Sequence, residues 1–131
     1  MIEQSKRTST PNRFNLPGVI AVSIGHFVHD IYSSFLAPLL PLLIEKLSLT
    51  LTQAGLLSTV MQLPALINPW IGSIADRLSV RWFLVMAPAM TAVPMSLIGV
   101  APSYAILLVL MVLAGVSVSV FHVPAPVVVA R

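Results

Sequence analysis

An acidic residue and two histidines stand close together in an otherwise apolar stretch near the start of the chain. Asp30, His26 and His29 lie between Leu16 and Ile44, where no other charged side chain occurs. On a helix, residues at this spacing are expected to share one face. A charged side chain at the centre of a membrane costs at least about 2.5–3.5 kcal/mol, and ionisable groups there usually mark ion or proton pathways. The pattern predicts a proton-coupling cluster; the alternative is a hydrogen-bonded polar patch that joins helices.

Three further polar residues lie in apolar surroundings. Gln62 and Asn68 are candidates for lining a cavity or joining helices. His122 is expected near the cytoplasmic end of the last apolar stretch, as a capping, interfacial or cavity-lining residue. The sequence contains no cysteine, and its histidines include no i, i+4 pair. We therefore expect neither a metal site nor a cofactor.

The composition predicts a membrane protein. The 131 residues are 57% hydrophobic and 8% charged, whereas a soluble domain usually carries about 25% charged residues. The mean hydropathy is +0.97. The net charge of +3 comes from basic residues scattered among predicted loops, which favours a role in membrane orientation over nucleic-acid binding. The sequence shows no phosphate-binding loop of the Walker type and no arrangement of nucleophile and base, so neither direct ATP drive nor an enzyme is expected.

Apolar stretches of membrane-spanning length divide the chain into four predicted helices. A span needs about 20 apolar residues, and the candidates are residues 16–44, 52–75, 82–100 and 104–123. The polar residues 1–15 form an N-terminal tail, and the first span is expected to be retained rather than cleaved as a signal. Thr50 and Gln53 form a predicted capping box for the second span. Pro102 ends the third span and Ser103 caps the fourth. The predicted fold class is an all-α membrane protein.

Prolines are expected to bend the first three spans. Each removes a backbone hydrogen bond, and neighbouring groups must then satisfy the freed carbonyl. Pro38 and Pro41 place a bend or break near the far end of the first span. The others lie inside the second and third spans: Pro64, Pro69, Pro88 and Pro94.

The distribution of basic residues predicts the orientation of the chain. The N-terminal tail, the second connection and the C-terminal end carry Lys6, Arg7, Arg13, Arg77, Arg81 and Arg131. The first connection carries Lys46 alone, and the third carries no basic residue. Because basic loops stay in the cytoplasm, both termini are predicted to be cytoplasmic.

The connection between the second and third spans carries a sequence motif. Residues 72–81 are Gly-Ser-Ile-Ala-Asp-Arg-Leu-Ser-Val-Arg. They resemble the G-x-L-A-D-R-x-G-R-K/R loop between the second and third helices of the major facilitator superfamily of transporters. Ile74, Ser79 and Val80 depart from that pattern.

The motif is predicted to act in gating. Gly72 can let the second helix approach a neighbour closely. Asp76 can pair with Arg77 or Arg81, or accept N–H groups from the start of another helix. Such contacts would act as a latch: they would form in one conformation of the protein and break in the other. The alternative is a charged turn that merely fixes topology.

Further segments resemble the fosmidomycin-resistance branch of that superfamily. They extend from Gly25 to Pro124: Gly25-His26-Phe27 with Asp30 and Tyr32, residues 35–42, residues 54–57, residues 101–104, residues 113–115 and Phe121-His122. The resemblance implies an inner-membrane exporter of small molecules or drugs, driven by proton antiport, with alternating access between two six-helix halves. The implied partners are the lipid bilayer, protons and a small-molecule substrate, and nucleic acid is not among them.

The length of the chain differs from that of such a transporter. Four spans are part of the N-terminal six-helix half, so the resemblance implies a fragment whose partners include the missing C-terminal helices. The substrate cavity would lie between the halves, near the middle of the membrane. Two alternatives stay open. One is a four-helix small multidrug exporter that acts as a dimer, and the other is a membrane remnant that transports nothing.

Overall fold

The computed structural model describes residues 16–75, 77 and 80–123, with side chains at all of these positions except 75, 80, 81, 83 and 84. The predicted tail, residues 1–15, lies outside the described residues. Within the described part the chain is helical nearly throughout. In order it forms α1 (Leu16–Ser33), α2 (Leu36–Leu47), α3 (Leu51–Gln62), a first 3-10 segment (Leu63–Ile67), α4 (Asn68–Ala75), α5 (Val80–Leu97), a second 3-10 segment (Ile98–Val100) and α6 (Tyr104–His122).

The first predicted span, residues 16–44, consists of two helices. Only Ser34 and Phe35 separate α1 from α2, so the break falls earlier than the expected bend. Pro38 explains its position, because a proline ring clashes with the carbonyl four residues before it and donates no hydrogen bond to it. That carbonyl belongs to Ser34, inside the turn. The Ser34 hydroxyl donates to the Ile31 carbonyl at 2.8 Å, which closes the end of α1.

The second predicted span, residues 52–75, is interrupted in its middle. α3 begins at the predicted capping box. The backbone N–H of Gln53 donates to Thr50 Oγ1 at 3.2 Å, and the backbone N–H of Thr50 donates to Gln53 Oε1 at 2.9 Å. The chain then tightens into the first 3-10 segment, which has Pro64 in its first turn, before α4 follows. A proline is accommodated at the start of a helix but removes a hydrogen bond inside one. Pro64 and Pro69 therefore divide a span that was expected as a single helix.

α5 and α6 occupy the third and fourth predicted spans. α5 contains Pro88 and Pro94 and ends in the second 3-10 segment. α6 begins at the predicted cap, where Ser103 Oγ accepts a hydrogen bond from the Ile106 amide at 3.4 Å.

Hydrogen bonds join two of the connections at one end of the helices. Lys46 Nζ donates to the carbonyls of Gly99 at 3.0 Å and Ala101 at 3.2 Å. The Tyr104 hydroxyl donates to the Gln53 carbonyl at 3.1 Å. The α2–α3 connection and the α5–α6 connection therefore lie together, at the same end of the bundle.

α6 lies at the centre of the packing. It contacts α3, α5 and the first 3-10 segment, and α1 packs on α5. The core is mostly aliphatic: Leu36, Leu43, Leu49, Leu57, Met95, Ile98, Ala101, Leu107, Leu110, Met111 and Ala114. Gly115 makes the closest approach, because a Cβ at that position would overlap the Met61 carbonyl oxygen and lie 3.0 Å from Pro64 Cγ. Small residues permit such close contact between membrane helices.

Large apolar side chains cover the outer surface. Phe27, Trp70 and Trp82 are 67%, 66% and 69% exposed. Soluble monomers rarely expose large contiguous apolar patches, so this exterior suits lipid or further helices. Two described stretches, Leu16–Leu47 and Tyr104–His122, are long and apolar enough to cross a membrane, and Val85–Val100 is a shorter apolar helix.

Substitution of Gly115 tests the packing of α6. In Gly115→Ala the new methyl group overlaps the Met61 carbonyl. Overpacking of this kind costs about 1–3 kcal/mol, more than the gain of up to about 1 kcal/mol that alanine brings to a helix. We expect a lower midpoint of thermal unfolding, measured by circular dichroism in a mild detergent.

Gly55→Ala is the matched control for this experiment. A Cβ at Gly55 meets nothing within 4 Å, so this variant should be at least as stable as the wild type. Equal stability of the two variants would show that α6 does not approach Met61 this closely.

Candidate functional site

A histidine and an aspartate lie side by side on the exposed face of α1. His26 Nε2 is 3.2 Å from Asp30 Oδ2, and the two side chains are 47% and 54% exposed. Helix geometry alone brings them together, because residues at i and i+4 are neighbours on one face. The pair is therefore set by α1 itself, and both side chains are partly exposed.

The last residue of α6 completes this site. His122 Nε2 lies 3.8 Å from Asp30 Oδ1, and the His122 ring stands edge-on to the His26 ring, with 4.9 Å between centroids. These three residues are called the His-Asp-His cluster below. His122 lies at the end of the last apolar stretch, Tyr104–His122, as expected, and packing brings that end of α6 against residues 26–30 of α1. Its contact comes from tertiary packing, which no local pattern encodes.

His29 faces the same His122 ring as the other two α1 residues, with 5.4 Å between ring centroids. Consecutive residues on a helix are about 100° apart, so His29 is turned further into the bundle than the exposed Asp30. Its side chain is 0% exposed. Nδ1 of His29 lies 3.0 Å from Thr91 Oγ1 on α5, and the ring stacks on Phe121 of α6 at 4.7 Å between centroids.

Two buried hydroxyl residues, Thr91 and Ser117, were not predicted from the sequence as part of the site. Each is a hydroxyl side chain in an apolar helix, where such groups commonly bond to a carbonyl of their own helix. They do so here: Thr91 donates to Ala87 at 3.1 Å and Ser117 to Ala114 at 2.9 Å. Their two oxygens also lie 2.6 Å apart, which joins α5 to α6. Nothing in the local sequence distinguishes this interhelical contact from an ordinary intrahelical one.

The His-Asp-His cluster also contains the types of atom that bind metal ions. Two imidazole nitrogens and one carboxylate oxygen lie within 4.8 Å of one another. The spacing of histidines along one helix does not predict this grouping, because its members come from two helices. Ligands at about 2.0–2.2 Å from a tetrahedral zinc ion lie roughly 3.4 Å from one another. The separation of His122 and Asp30 is wider, at 3.8 Å. That separation is also longer than a hydrogen bond, so His122 and Asp30 are neighbours without a direct hydrogen bond between them.

A cavity of about 410 Å³ lies beside the turn between α1 and α2. Its polar lining consists of Ser33, Ser34, Ser58, Gln62 and Ser119. No ionisable side chain occurs among its lining residues, all of which the structure describes. Gln62, a predicted cavity residue, lies on the wall and donates from Nε2 to the Ser58 carbonyl at 3.3 Å. Asn68 and His122 do not line it. Within the described residues, the buried Asn68 Oδ1 has no hydrogen-bond partner.

The predicted gating motif is described only in part. A Cβ at Gly72 would lie 3.5 Å from Val123 Cγ1, so α4 passes close to the end of α6. Arg77 is exposed, and its amide donates to the Ile74 carbonyl at 3.0 Å. Asp76 and the side chain of Arg81 lie outside the described part, so the predicted pairing of these charges stays a prediction.

Comparison with known proteins gives two matches. The sequence profile described as Major Facilitator Superfamily matches residues 22–131. The fosmidomycin resistance protein of Escherichia coli (strain K12) is 32% identical over 103 residues, which are 78% of this chain and 25% of that protein. The chain thus spans about a quarter of the length of this relative. No solved structure matches the chain.

Chemical modification tests the different placement of the three histidines. We expect diethylpyrocarbonate to modify His26 and His122 of the purified chain in detergent, because their side chains are 47% and 42% exposed. His29 should react much more slowly, because it is buried. Rates are measured by mass spectrometry of peptides. As a control, all three should react alike after denaturation in SDS, and equal rates in the folded chain would contradict the placement of His29.

Proposed function

This chain belongs to the major facilitator superfamily of transporters, and we propose that it forms part of the N-terminal membrane bundle of a secondary active exporter of small molecules. The match of residues 22–131 to that family carries the proposal. Transport rather than covalent catalysis is the activity of this family, and the chain is an integral membrane protein. The match favours this interpretation over a small multidrug exporter.

We propose that the chain crosses a bacterial inner membrane four times and that both of its ends lie in the cytoplasm. The contacts of Lys46 with Gly99 and Ala101 support this arrangement, since they place the first and third connections at one end. The contact of Gly72 with Val123 lies at the other end. The basic residues of the tail, the motif loop and the C-terminus would then face the cytoplasm.

The His-Asp-His cluster is the proposed site of proton coupling. Asp30 is the acidic residue inside an apolar helix, and an imidazole from each of two helices stands within 4 Å of its carboxylate. A proton can move among such groups without free charge entering the lipid. The buried His29 lies beside this site rather than in it, so it is not proposed as a proton carrier.

Proton movement is proposed to accompany alternating access. The cluster joins α1 to α6, so its contacts change when these helices move relative to each other. The motif residues Gly72, Asp76, Arg77 and Arg81 are proposed as the cytoplasmic latch of the same cycle. The missing helices of the transporter would supply the other wall of the substrate path, near the middle of the membrane.

The name of the matched relative suggests a class of substrate. Resistance to fosmidomycin, from which that protein takes its name, fits export of a small drug. The cavity beside the α1–α2 turn offers hydroxyl and amide groups, including Gln62, to an uncharged part of such a molecule. We propose a small-molecule drug as substrate, with no cofactor.

Replacement of Asp30 tests the proton-coupling proposal. Everted membrane vesicles are prepared from cells that express the gene at its full encoded length, and their interior is acidified. In the wild type, drugs from a panel that includes fosmidomycin should release protons, followed with a pH-sensitive dye. Asp30→Asn should reduce this drug-dependent proton flux to the level of vesicles without the protein, because an amide cannot carry the proton. Asp30→Glu should retain part of it.

Glu45→Gln is the matched control, because Glu45 is an exposed acid at the end of α2, away from the cluster. It should leave the proton flux unchanged. Wild-type flux in Asp30→Asn would remove Asp30 from the mechanism. Absence of drug-dependent flux in the wild type with every drug of the panel would contradict the exporter proposal itself.

Reporter fusions test the proposed topology. Green fluorescent protein is fused before Met1, and after Arg131 in a second fusion, and both should fluoresce because both ends lie in the cytoplasm. Alkaline phosphatase inserted at Ser48 or at Pro102 should be active, because these connections would face the periplasm. Phosphatase inserted at Ser79 should be inactive. Active phosphatase at Ser79 would refute the orientation, and inactive phosphatase at Pro102 would refute the count of spans.

A further inference from the structure

A buried imidazole connects α1 to α5 directly. His29 is fully buried, and its Nδ1 lies 3.0 Å from the hydroxyl of Thr91. An aliphatic side chain would fill such a position without the cost of removing polar atoms from water. Among the described residues, the other ring nitrogen, Nε2, has no hydrogen-bond partner. The contact between His29 and Thr91 therefore serves to hold these two polar groups in place more than to fill apolar space.

The same hydroxyl carries the connection on to α6. Thr91 Oγ1 lies 2.6 Å from Ser117 Oγ, and Ser117 donates to the Ala114 carbonyl. Thr91 and Ser117 have one proton each, and each hydroxyl also faces a carbonyl of its own helix, so one of the two protons makes the short oxygen–oxygen contact in place of that carbonyl bond. Thr91 Oγ1 also pairs with Nδ1 of His29, and the tautomer of the imidazole decides which of these two atoms donates. One chain of hydrogen bonds thus runs from α1 through α5 to α6.

Ring packing makes a second connection between His29 and α6. The His29 ring lies nearly parallel to the Phe121 ring, with 16° between planes and 4.7 Å between centroids. Phe121 is 1% exposed and directly precedes His122. Gly25 adds to this fit, because a Cβ there would already contact the Phe121 ring at 3.8 Å. The orientation of His29 therefore fixes the last turn of α6.

We propose that His29 is a positioning residue that holds His122 against Asp30. It acts through its edge-on contact with the His122 ring, at 5.4 Å between centroids, through the hydroxyls of Thr91 and Ser117 and through the ring of Phe121. It does not touch the carboxylate in the described contacts. Its relevance to transport rests on the function proposed above for the His-Asp-His cluster. Its effect on geometry can be measured independently of transport.

The first experiment measures the geometry by NMR. The full chain, with labelled histidine, is purified in detergent micelles, where its three histidines give three sets of ring signals. The His26 and His122 rings, 4.9 Å apart between centroids, should give a nuclear Overhauser cross-peak. Thr91→Val keeps the shape of Thr91 and removes its hydroxyl, so the cross-peak should weaken severalfold or disappear. Thr91→Ser restores the hydroxyl and should restore the cross-peak.

Thr59→Val is the matched control for this measurement. Thr59 is exposed on α3, and its hydroxyl donates to the Gly55 carbonyl of its own helix. This variant should keep the cross-peak. Ser117→Ala, which removes the α6 end of the chain, should lose it, and this second variant decides the result if Thr91→Val does not fold by circular dichroism. A folded Thr91→Val or Ser117→Ala protein with an unchanged cross-peak would overturn the proposal.

The second experiment measures drug-dependent proton flux. Thr91→Val and His122→Gln should each reduce the flux, and the double variant should be no worse than His122→Gln alone, because Thr91 acts through His122. Independent, additive losses would indicate a merely structural role for Thr91 and would contradict the proposal. Unchanged flux in His122→Gln would instead contradict the function proposed for the cluster, while the NMR result would still decide whether His29 positions His122.

Discussion

The close packing of α6 against the end of α3 is the contact on which this arrangement depends. Gly115 lets α6 lie against the Met61 carbonyl, at the point where α3 gives way to the first 3-10 segment. α6 also packs on α5 and carries Ser117, Phe121 and His122, so its position sets all three contacts with the polar groups of α1 and α5. In lipid there is little hydrophobic drive between apolar helices, and close van der Waals contact and hydrogen bonds must supply the association. Gly115 provides the close contact at the crossing point. The hydrogen bond between Ser117 of α6 and Thr91 of α5 provides the polar one.

Much of the helical framework could be predicted because its signals are local. The Thr50–Gln53 capping box and the Ser103 cap are confirmed, since a cap is decided within four residues. The effect of prolines was harder to locate. α5 continues through Pro88 and Pro94, whereas the chain breaks before Pro38 and tightens at Pro64. Local sequence shows that a proline frees a carbonyl, but the neighbouring groups decide whether the helix bends, tightens or ends.

In the candidate site, too, contacts within one helix could be predicted and contacts between helices could not. The pairing of His26 with Asp30 follows from the i, i+4 geometry of one helix and was expected. His29 meets the same His122 ring as His26, in keeping with a shared face, but its complete burial depends on the packing of α5 and α6 and could not be predicted from α1 alone. The contribution of His122 could not be found locally, because its contact with Asp30 exists only after α1 and α6 have packed. Thr91 gave no signal at all, since a threonine in an apolar helix usually bonds its own backbone.

The two imidazole contacts of Asp30 differ in a way that matters for the proposed transport cycle. His26 and Asp30 stand on one helix, so their separation of 3.2 Å persists in any movement that keeps α1 intact. His122 stands on another helix, and its separation of 3.8 Å changes whenever α6 shifts or turns against α1. A movement of α6 away from α1 would therefore leave the carboxylate with one imidazole neighbour in place of two. In the proposed cycle, this one variable contact is what would link movement of α6 to binding of a proton at the cluster. The buried His29 stands where it can restrain that movement, since its ring and its hydrogen bond both act on the turn of α6 that carries His122.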